Sequence, residues 1–564
     1  MSFEKCCCST NKQYYDYIIV GNGTTGAVLA RKLSDNYKNR VLVLEIGRNR
    51  TDDPIVKSPN VFSPAILSEI TFNPKYSVSY AVPTYSTTTL QVQDYYPPLG
   101  QAVNYTEGRM WGGSSAHHYL LAVRGTPPIY DQWALLSGNN RWTYNNLLAT
   151  MKRIETYTPN GTPINLNQRG TNGPVFITQS PPVTNEPIII GLSAGTDTPF
   201  TNDYNDPVEG FLSVSANQQF ITPPPNSERS YSQSAYLQVG EIIDADGNGL
   251  NGRPLKIISA ALVSHVIFDK KRAIGVEYIE NYRDSNSRVI QVYAMKKVIL
   301  SAGSINTPAI LQRSGVGDAA LLNELGIPVV VNSPNVGKNL VNHYGPIGTL
   351  VNVPQFAPSN GQAFVNGAPF LPDDDVRRIQ IIPQFFGPTV FGVLAFILNS
   401  ASRGLVKIVD TNPVIEPLVD LNMYSDPAGY DASVAVAFYK LLQLISAKIP
   451  GSIVVYPTAN DYLTDEGLLR AAKNISTSAV SSHASSTTQM AKNINDGVVD
   501  GNLHVFGTTN LMIADLGVAP IIPDGNTAFA AFVIGEVASH ILLNEKQFCH
   551  CNVCKKEYRE KYRY

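Results

Sequence analysis

The hexapeptide Gly21-Asn22-Gly23-Thr24-Thr25-Gly26, with what flanks it, constrains this chain more than any other feature. Ahead of it, Asp16 to Val20 (DYIIV) is a short apolar run of the kind buried in a parallel sheet. Behind it, Thr25 to Leu33 has helical period with small residues, and Arg40 to Glu45 (RVLVLE) is a second buried strand. Strand, glycine turn, helix and strand form a βαβ unit. In that setting G-x-G-x-x-G marks a dinucleotide site. Gly21 permits the tight turn, Gly23 lets a pyrophosphate approach the backbone, and Gly26 lets helix and strand pack closely. The helix N-terminus, carrying Thr24 and Thr25, offers free N–H groups and a partial positive charge to the anion. Glu45 lies about 20 residues further on, where an acid binds the ribose. A carboxylate there favours a 2′-hydroxyl over a 2′-phosphate, and so FAD or NAD over NADP. Asn22-Gly23-Thr24 also fits a glycosylation sequon, but a glycan there would block the phosphate site.

The rest of the chain alternates in character. Pro54 to Gly100 and Thr158 to Pro225 are rich in proline and polar residues and read as irregular. Lys256 to Glu280 reads as strands and turns. Val298 to Ser301 (VILS) reads as another buried strand, followed by Ala302-Gly303. Arg377 to Asp420 predicts an antiparallel sheet, Tyr430 to Ile445 a helix, and Phe529 to Leu543 a buried helix. At 564 residues, with nucleotide-type segments at both ends and in the middle, two domains interleaved in sequence are expected.

Composition excludes some functions. The chain is 43% hydrophobic and 16% charged with net charge −2, so there is no general attraction to nucleic acid or anionic membrane. No run of about 20 apolar residues predicts a membrane span. Met1 to Gln13 lacks the apolar stretch of a secretory signal, so a cytoplasmic location is expected. All six cysteines lie in the tails: Cys6, Cys7 and Cys8, then Cys549, Cys551 and Cys554. The body between them needs no thiol for its chemistry.

Two further segments decide the dinucleotide. Gly108-Arg109-Met110-Trp111-Gly112-Gly113-Ser114-Ser115-Ala116-His117-His118 resembles the first signature of the glucose–methanol–choline (GMC) oxidoreductases, and Gly303 to Gly317 (GSINTPAILQRSGVG) resembles the second. Ser402-Arg403-Gly404, Pro417 and the run around Asn422 to Tyr424 resemble the family's substrate-domain block, and His483, Asp515 and Asn526 its C-terminal end. The resemblance runs from about Tyr14 to Glu545 and is closest in feel to aryl-alcohol oxidase and choline dehydrogenase-like members. It implies an α/β fold: a Rossmann-like FAD-binding domain interleaved with a substrate domain built on an antiparallel sheet with helices. The expected boundaries are 14–60, 100–150, 226–340 and 481–545 for the FAD domain, and 61–99, 151–225 and 341–480 for the substrate domain, with tails at 1–13 and 546–564.

The resemblance also implies FAD-dependent oxidation of a small alcohol to an aldehyde or ketone, by hydride transfer to flavin N5. O2 or another acceptor would reoxidise the flavin. Cofactor contacts are expected from Gly108, Arg109, Gly112, Gly113, Ser114, Ser115, His117, His118, Ala302, Asp515, Asn526 and Thr527, beside the glycine motif and Glu45. His483 occupies the position of the catalytic histidine, whose pKa near neutrality suits proton transfer. Asn526 occupies the second position, to hydrogen-bond and orient the alcohol oxygen. Similarity around His118 leans toward an aromatic or other uncharged primary alcohol. His117 matches the spacing of a histidine that carries FAD covalently in some members. One departure stands out: the family reads His-x-x-Gly-Thr-x-x-Met-Gly, whereas Ser486 and Ala491 replace the two glycines here. If either position needs a positive φ, the loop carrying His483 must adjust.

The tails stay open. Cys549-His550-Cys551 to Cys554 is too short for a closed zinc site with its own fold, and no metal is expected in the active site. Disulfides between tails, disulfides between chains giving self-association, a metal shared with Cys6 to Cys8, and free thiols all compete. The altered His483 loop and the cysteine tails motivate an alternative: an FAD-binding assembly protein, for instance of a virus particle (virion), with catalysis weak or lost. Lys555 to Tyr564 is mildly basic but too short for a claim of nucleic-acid binding.

Overall fold

A computed structural model describes residues 13–60, 64–83, 102–160, 164–474 and 478–545. The tail cysteines and the basic C-terminal segment lie outside the described residues.

The first sheet has strands β1 (Gln13–Val20), β2 (Val41–Leu44), β3 (Leu255–Ile258), β4 (Ala261–Asp269), β5 (Arg272–Glu280), β6 (Arg288–Leu300) and β7 (Leu511–Ile513). Its order is β4-β5-β6-β1-β2-β3, with β7 also against β6. β6 is long enough to serve two partners along one edge. Arg288 to Tyr293 pair antiparallel with β5, and Val298 to Leu300 pair parallel with β7. Its other edge takes β1 in parallel, from Gln13 opposite Val292 to Val20 opposite Leu300. The strands β7-β6-β1-β2-β3 therefore form a parallel sheet whose carboxyl ends line up. In open parallel sheets the ligand sits outside that edge.

Helix α1 (Thr24–Ser34) follows β1, α2 (Gly303–Arg313) follows β6, and α3 (Ala528–Asn544) ends the described chain. α3 is apolar on nearly every side because it is enclosed. A Cβ on its Gly535 would come 2.9 Å from Val28 of α1, so the glycine sets how closely the two helices approach. Its one buried charge, Glu536, accepts from Tyr236 at 3.0 Å and faces Lys32 at 3.1 Å.

The second sheet runs Ile453–Tyr456, Tyr344–Val351, Val390–Ile397, Ile379–Gly387, Gly361–Val365, Ser213–Ala216, with antiparallel neighbours throughout. Ser478–Val480 pairs with the start of Tyr344–Val351. Helix Tyr430–Ala447 packs on it: Val434, Phe438, Leu441 and Ile445 share a core with Leu350, Ile381 and Val393. The core of the first sheet is separate, and it includes Met151, Ile154, Val175 and Ile177. The expected boundary at 151 thus does not coincide with a change of core; the second core begins to draw on that segment only from Val183. A buried network links the segment inward, with Arg169 paired to Glu155 at 2.9 Å and Asp203 at 3.2 Å, and Arg124 to Glu155 at 2.6 Å.

The segments read as irregular contain regular pieces. Pro54–Lys57, Pro64–Phe72 and Pro187–Thr196 are helices, and Ser77–Pro83 pairs with Ala102–Gly108. In each helix the proline is the first residue, where its missing N–H costs nothing. Asp53 caps the first of them by accepting from the Ile55 N–H at 3.1 Å.

The two replaced glycines of the His483 loop behave differently. Ser486 has φ +71°, in the left-handed region, and is buried. Ala491 needs no positive φ. The loop is pinned on both sides of Ser486. Ser485 and Val341 exchange backbone hydrogen bonds of 2.9 and 3.2 Å, the Thr487 hydroxyl donates to the Ser304 carbonyl at 2.6 Å, and Thr488 N–H donates to Gly517 at 3.0 Å. The flanking bonds impose the glycine conformation on a serine, and the strain is accepted rather than relieved. Ser486→Gly is expected to raise unfolding stability by roughly 0.5–1 kcal/mol, the left-handed cost less the extra chain entropy of glycine. Urea unfolding of both proteins measures this; an unchanged or lower midpoint would show that the loop is not strained.

Candidate active site

At the glycine motif each glycine has a distinct reason. Gly21 has φ +100°, and a Cβ there would lie 2.4 Å from the Ser301 carbonyl oxygen at the end of β6. A Cβ on Gly26 would lie 2.0 Å from the Gly21 oxygen. Gly23 differs: its φ is an ordinary −76°, and the nearest atom to a Cβ would be the Gly113 Cα at 4.0 Å. Neither backbone nor packing demands glycine at 23, so the space is a cradle that a side chain would fill. A phosphate brought against the backbone fits it. No side chain caps α1, which leaves its first N–H groups for an anion.

The second glycine loop closes on the first. Gly112 donates its N–H to the Asn22 carbonyl at 2.9 Å, and Gly112 and Gly113 both have positive φ. Glu45, buried at the end of β2, accepts from the N–H groups of Asn22 and Gly47, each at 2.7 Å. Burial pushes its carboxyl up to about 7. Asn22 is itself fully buried, its amide donating to Gln233 at 2.9 Å.

Not every residue expected at the cofactor turns a free group outward. Gly21, Gly23, Thr24, Gly108, Ser114, Ala302, His483 and Asn526 are partly exposed along the carboxyl edge. The Thr25 hydroxyl donates to Ala531 of α3 at 3.1 Å, and Ser115 donates to the Gly112 carbonyl at 2.6 Å. Ser114 accepts from the Gly108 N–H at 3.2 Å. Arg109 is paired with Glu416 at 3.2 Å. Asp515 accepts from Gly303 N–H, the Thr307 hydroxyl and Gly517 N–H at 3.1, 2.6 and 2.9 Å, tying the end of β7 to the start of α2; burial raises it to about 6. Ala302 and Thr527 are the residues that open α2 and α3. Glu107, not anticipated, has a carboxylate oxygen 3.5 Å from where a Gly303 Cβ would stand, and burial, Asp515 and Glu416 push it up to about 8.

His117 is buried, which lowers its pKa to about 4. His118 stacks on Phe220 at 5.0 Å and accepts from the Leu120 N–H through Nδ1 at 3.2 Å; burial drives it well below the usual histidine value. The Nε2 atoms of both are enclosed by protein without a hydrogen-bond partner.

His483 and Asn526 come together from segments 43 residues apart, with His483 Nε2 3.5 Å from Asn526 Nδ2. Burial lowers His483 to about 4, so the ring is neutral at neutral pH. Its backbone N–H donates to Asn342 Oδ1 at 2.9 Å, and its Nδ1 lies 3.0 Å from Nδ1 of His343. The Ser481 hydroxyl closes on the His343 carbonyl at 2.6 Å. On the other side, Gln380 Nε2 donates to Asn526 Oδ1 at 2.8 Å and to Gln362 Oε1 at 2.7 Å. Asn342, His343, Gln362 and Gln380 escaped the sequence reading. His343 was visible only as one of eight histidines, and no spacing connects it to a residue 140 positions away.

Comparison with known proteins agrees with this architecture. The N-terminal GMC oxidoreductase family model matches residues 15–345, and the C-terminal one 400–535. The chain is 29% identical to the GMC oxidoreductase family protein Mala s 12 of Malassezia sympodialis, covering 94% of this chain and 92% of that protein. It is 27% identical to pyranose dehydrogenase of Agaricus campestris, covering 94% and 93%. Pyridoxine 4-oxidase from Mesorbium loti has the same fold, with a TM-score of 0.78 at 22% identity over 93% of this chain and 98% of that one. The chain belongs to the GMC oxidoreductase family, and its cofactor is FAD.

Proposed function

We propose that this protein oxidises the hydroxyl group of a small uncharged alcohol to a carbonyl, with His483 as the proton acceptor and Asn526 as the partner of the alcohol oxygen. The observation that carries the reading is the pair itself: a neutral imidazole and an amide donor, from two segments, turned toward each other at 3.5 Å. When bound, FAD supplies the two-electron acceptor that takes the hydride from the alcohol carbon. The glycine cradle at Gly23, the N-terminus of α1 and Glu45 are suited to the pyrophosphate and the ribose. Gly108 to Ser114, Ala302 and Asp515 stand along the remainder of the same edge.

The chemistry left to the chain is proton transfer and orientation. Because Asn526 Oδ1 accepts from Gln380, the polar atom that Asn526 turns toward His483 and the alcohol is the N–H donor Nδ2. A donor at that point stabilises negative charge developing on the alcohol oxygen. His483 accepts the hydroxyl proton through Nε2, and burial keeps it neutral and competent well below pH 6.5. The relatives support oxidation of alcohol or sugar hydroxyls as a class; the aromatic preference and the choice of O2 or another acceptor are part of this proposal. One feature behind the assembly reading, the altered loop, is accommodated by Ser486, and the other lies outside the described residues; the relatives named give the assembly role no support.

Anaerobic mixing with a panel of aromatic, aliphatic and sugar alcohols is expected to bleach the flavin absorbance with at least one of them. His483→Ala is expected to slow that bleaching about 10²–10⁴-fold. Since the base acts unprotonated, kcat/KM is expected to fall as pH drops toward 4 and to be flat above 6 for this group. Absence of bleaching with every alcohol, or full activity in His483→Ala, would overturn the reading. The enclosed Nε2 of His117 favours a non-covalent cofactor. Acid precipitation should accordingly release all flavin colour into the supernatant, whereas colour retained in the pellet and lost in His117→Ala would establish a covalent link.

A further inference from the structure

His483 has two ring nitrogens, and both face nitrogen atoms. Nδ1 is 3.0 Å from Nδ1 of His343, with the two rings nearly perpendicular at 89°. Nε2 is 3.5 Å from Nδ2 of Asn526. A neutral imidazole has one donor and one acceptor nitrogen, so a contact between two Nδ1 atoms works only if one ring gives a proton and the other takes it. The direction of that single proton decides what His483 presents at its other nitrogen.

The amide orientations of Gln380 and Asn526 point to one direction. Gln380 Nε2 donates to Asn526 Oδ1, which turns the Asn526 N–H groups toward His483. An N–H facing Nε2 requires a lone pair there. The ring proton then lies on Nδ1, and its acceptor is His343. The opposite tautomer would set an N–H on Nε2 against the N–H groups of Asn526, two donors with no acceptor for a hydroxyl proton. The ring of Phe396, 6.2 Å away, is neutral and has no titratable proton.

We propose that His343 is a positioning residue for the oxidation: it accepts the Nδ1 proton of His483 and so keeps the Nε2 lone pair of His483 directed into the site. This rests on the reading of His483 as the proton acceptor. It assigns a role to the Asn342-His343 pair as a unit, with Asn342 fixing the backbone of His483 and His343 fixing its ring. Burial supports it, since it holds both rings neutral, and His483 further disfavours a positive charge on His343. The arrangement has a cost. His343 must carry its own proton on Nε2, which is enclosed without a partner, and a purely structural histidine would gain nothing from that.

The holoenzyme labelled with ¹⁵N-histidine tests the tautomer without turnover. The His483 signals, identified by their loss in His483→Ala, are expected to show a protonated Nδ1 and an unprotonated Nε2. A proton found on Nε2 overturns the proposal. Kinetics give a second test. Asparagine places a carbonyl oxygen near the position of the His343 Nδ1, so His343→Asn is expected to stay within about tenfold of wild-type kcat. His343→Leu removes the acceptor and is expected to lower kcat about a hundredfold or more with little change in KM. Equal kcat in the leucine variant and wild type, or equal loss in both variants, overturns it. If the leucine variant does not fold by circular dichroism, the ¹⁵N signals of the wild type and of His343→Asn decide. Full activity in His483→Ala would instead sink the parent reading, whatever His343 does.

Discussion

The cofactor region depends on a contact between backbones: Gly21 just after β1 against the carbonyl of Ser301 just beyond β6, where even a methyl group would stand 2.4 Å from oxygen. That contact joins points 280 residues apart. It exists because β1 and β6 are parallel and in register to their ends, Val20 opposite Leu300. From it follow the turn into α1, the gap at Gly23 and the closing of Gly112 and Gly113 over the motif. Ala302 and Gly303 stand beside them. A substitution at Gly21 would therefore disturb strand pairing as well as any anion site, because φ +100° and the lack of space act together.

The second sheet serves the first through its rim. Tyr344 pairs with Val480, and this pairing delivers Asn342 and His343 to one side of the 481–483 segment. Gln362 and Gln380, on neighbouring strands, deliver the amides that orient Asn526. The proposed pair thus stands on a loop beside the second core, next to Ala484, and at the start of a helix of the first core, before Phe529, while the groups that orient both side chains come from the strands and rim of the second sheet. Precision in such a site comes from the surrounding hydrogen bonds, since neither His483 nor Asn526 lies within a regular strand.

Legibility in the sequence followed how local each signal was. The βαβ unit could be read because strand, turn and helix are contiguous and each has its own pattern. The helices starting at Pro54, Pro64 and Pro187 could not, because proline is a breaker inside a helix but a starter at its first position, and composition does not distinguish the two. The packing of Met151 to Ile177 with the first core was likewise hidden, since apolar residues do not declare which sheet they will meet. The need for positive φ at Ser486 was a conditional expectation; the backbone bonds around it made it real, and none arose at Ala491.

By itself, then, the sequence determined the dinucleotide turn, the acid at Glu45, the family signatures and the candidate pair His483 and Asn526, because these are properties of residue type at short spacing. Only the tertiary structure decided which of the expected groups have free atoms. Thr25 and Ser115 spend their hydroxyls inside the protein, and Asp515 spends its carboxylate on α2. It also decided what touches the Nδ1 of His483. A hydrogen bond is set by distance and direction in space, and the 139 residues between His343 and His483 carry no trace of it until Tyr344 pairs with Val480.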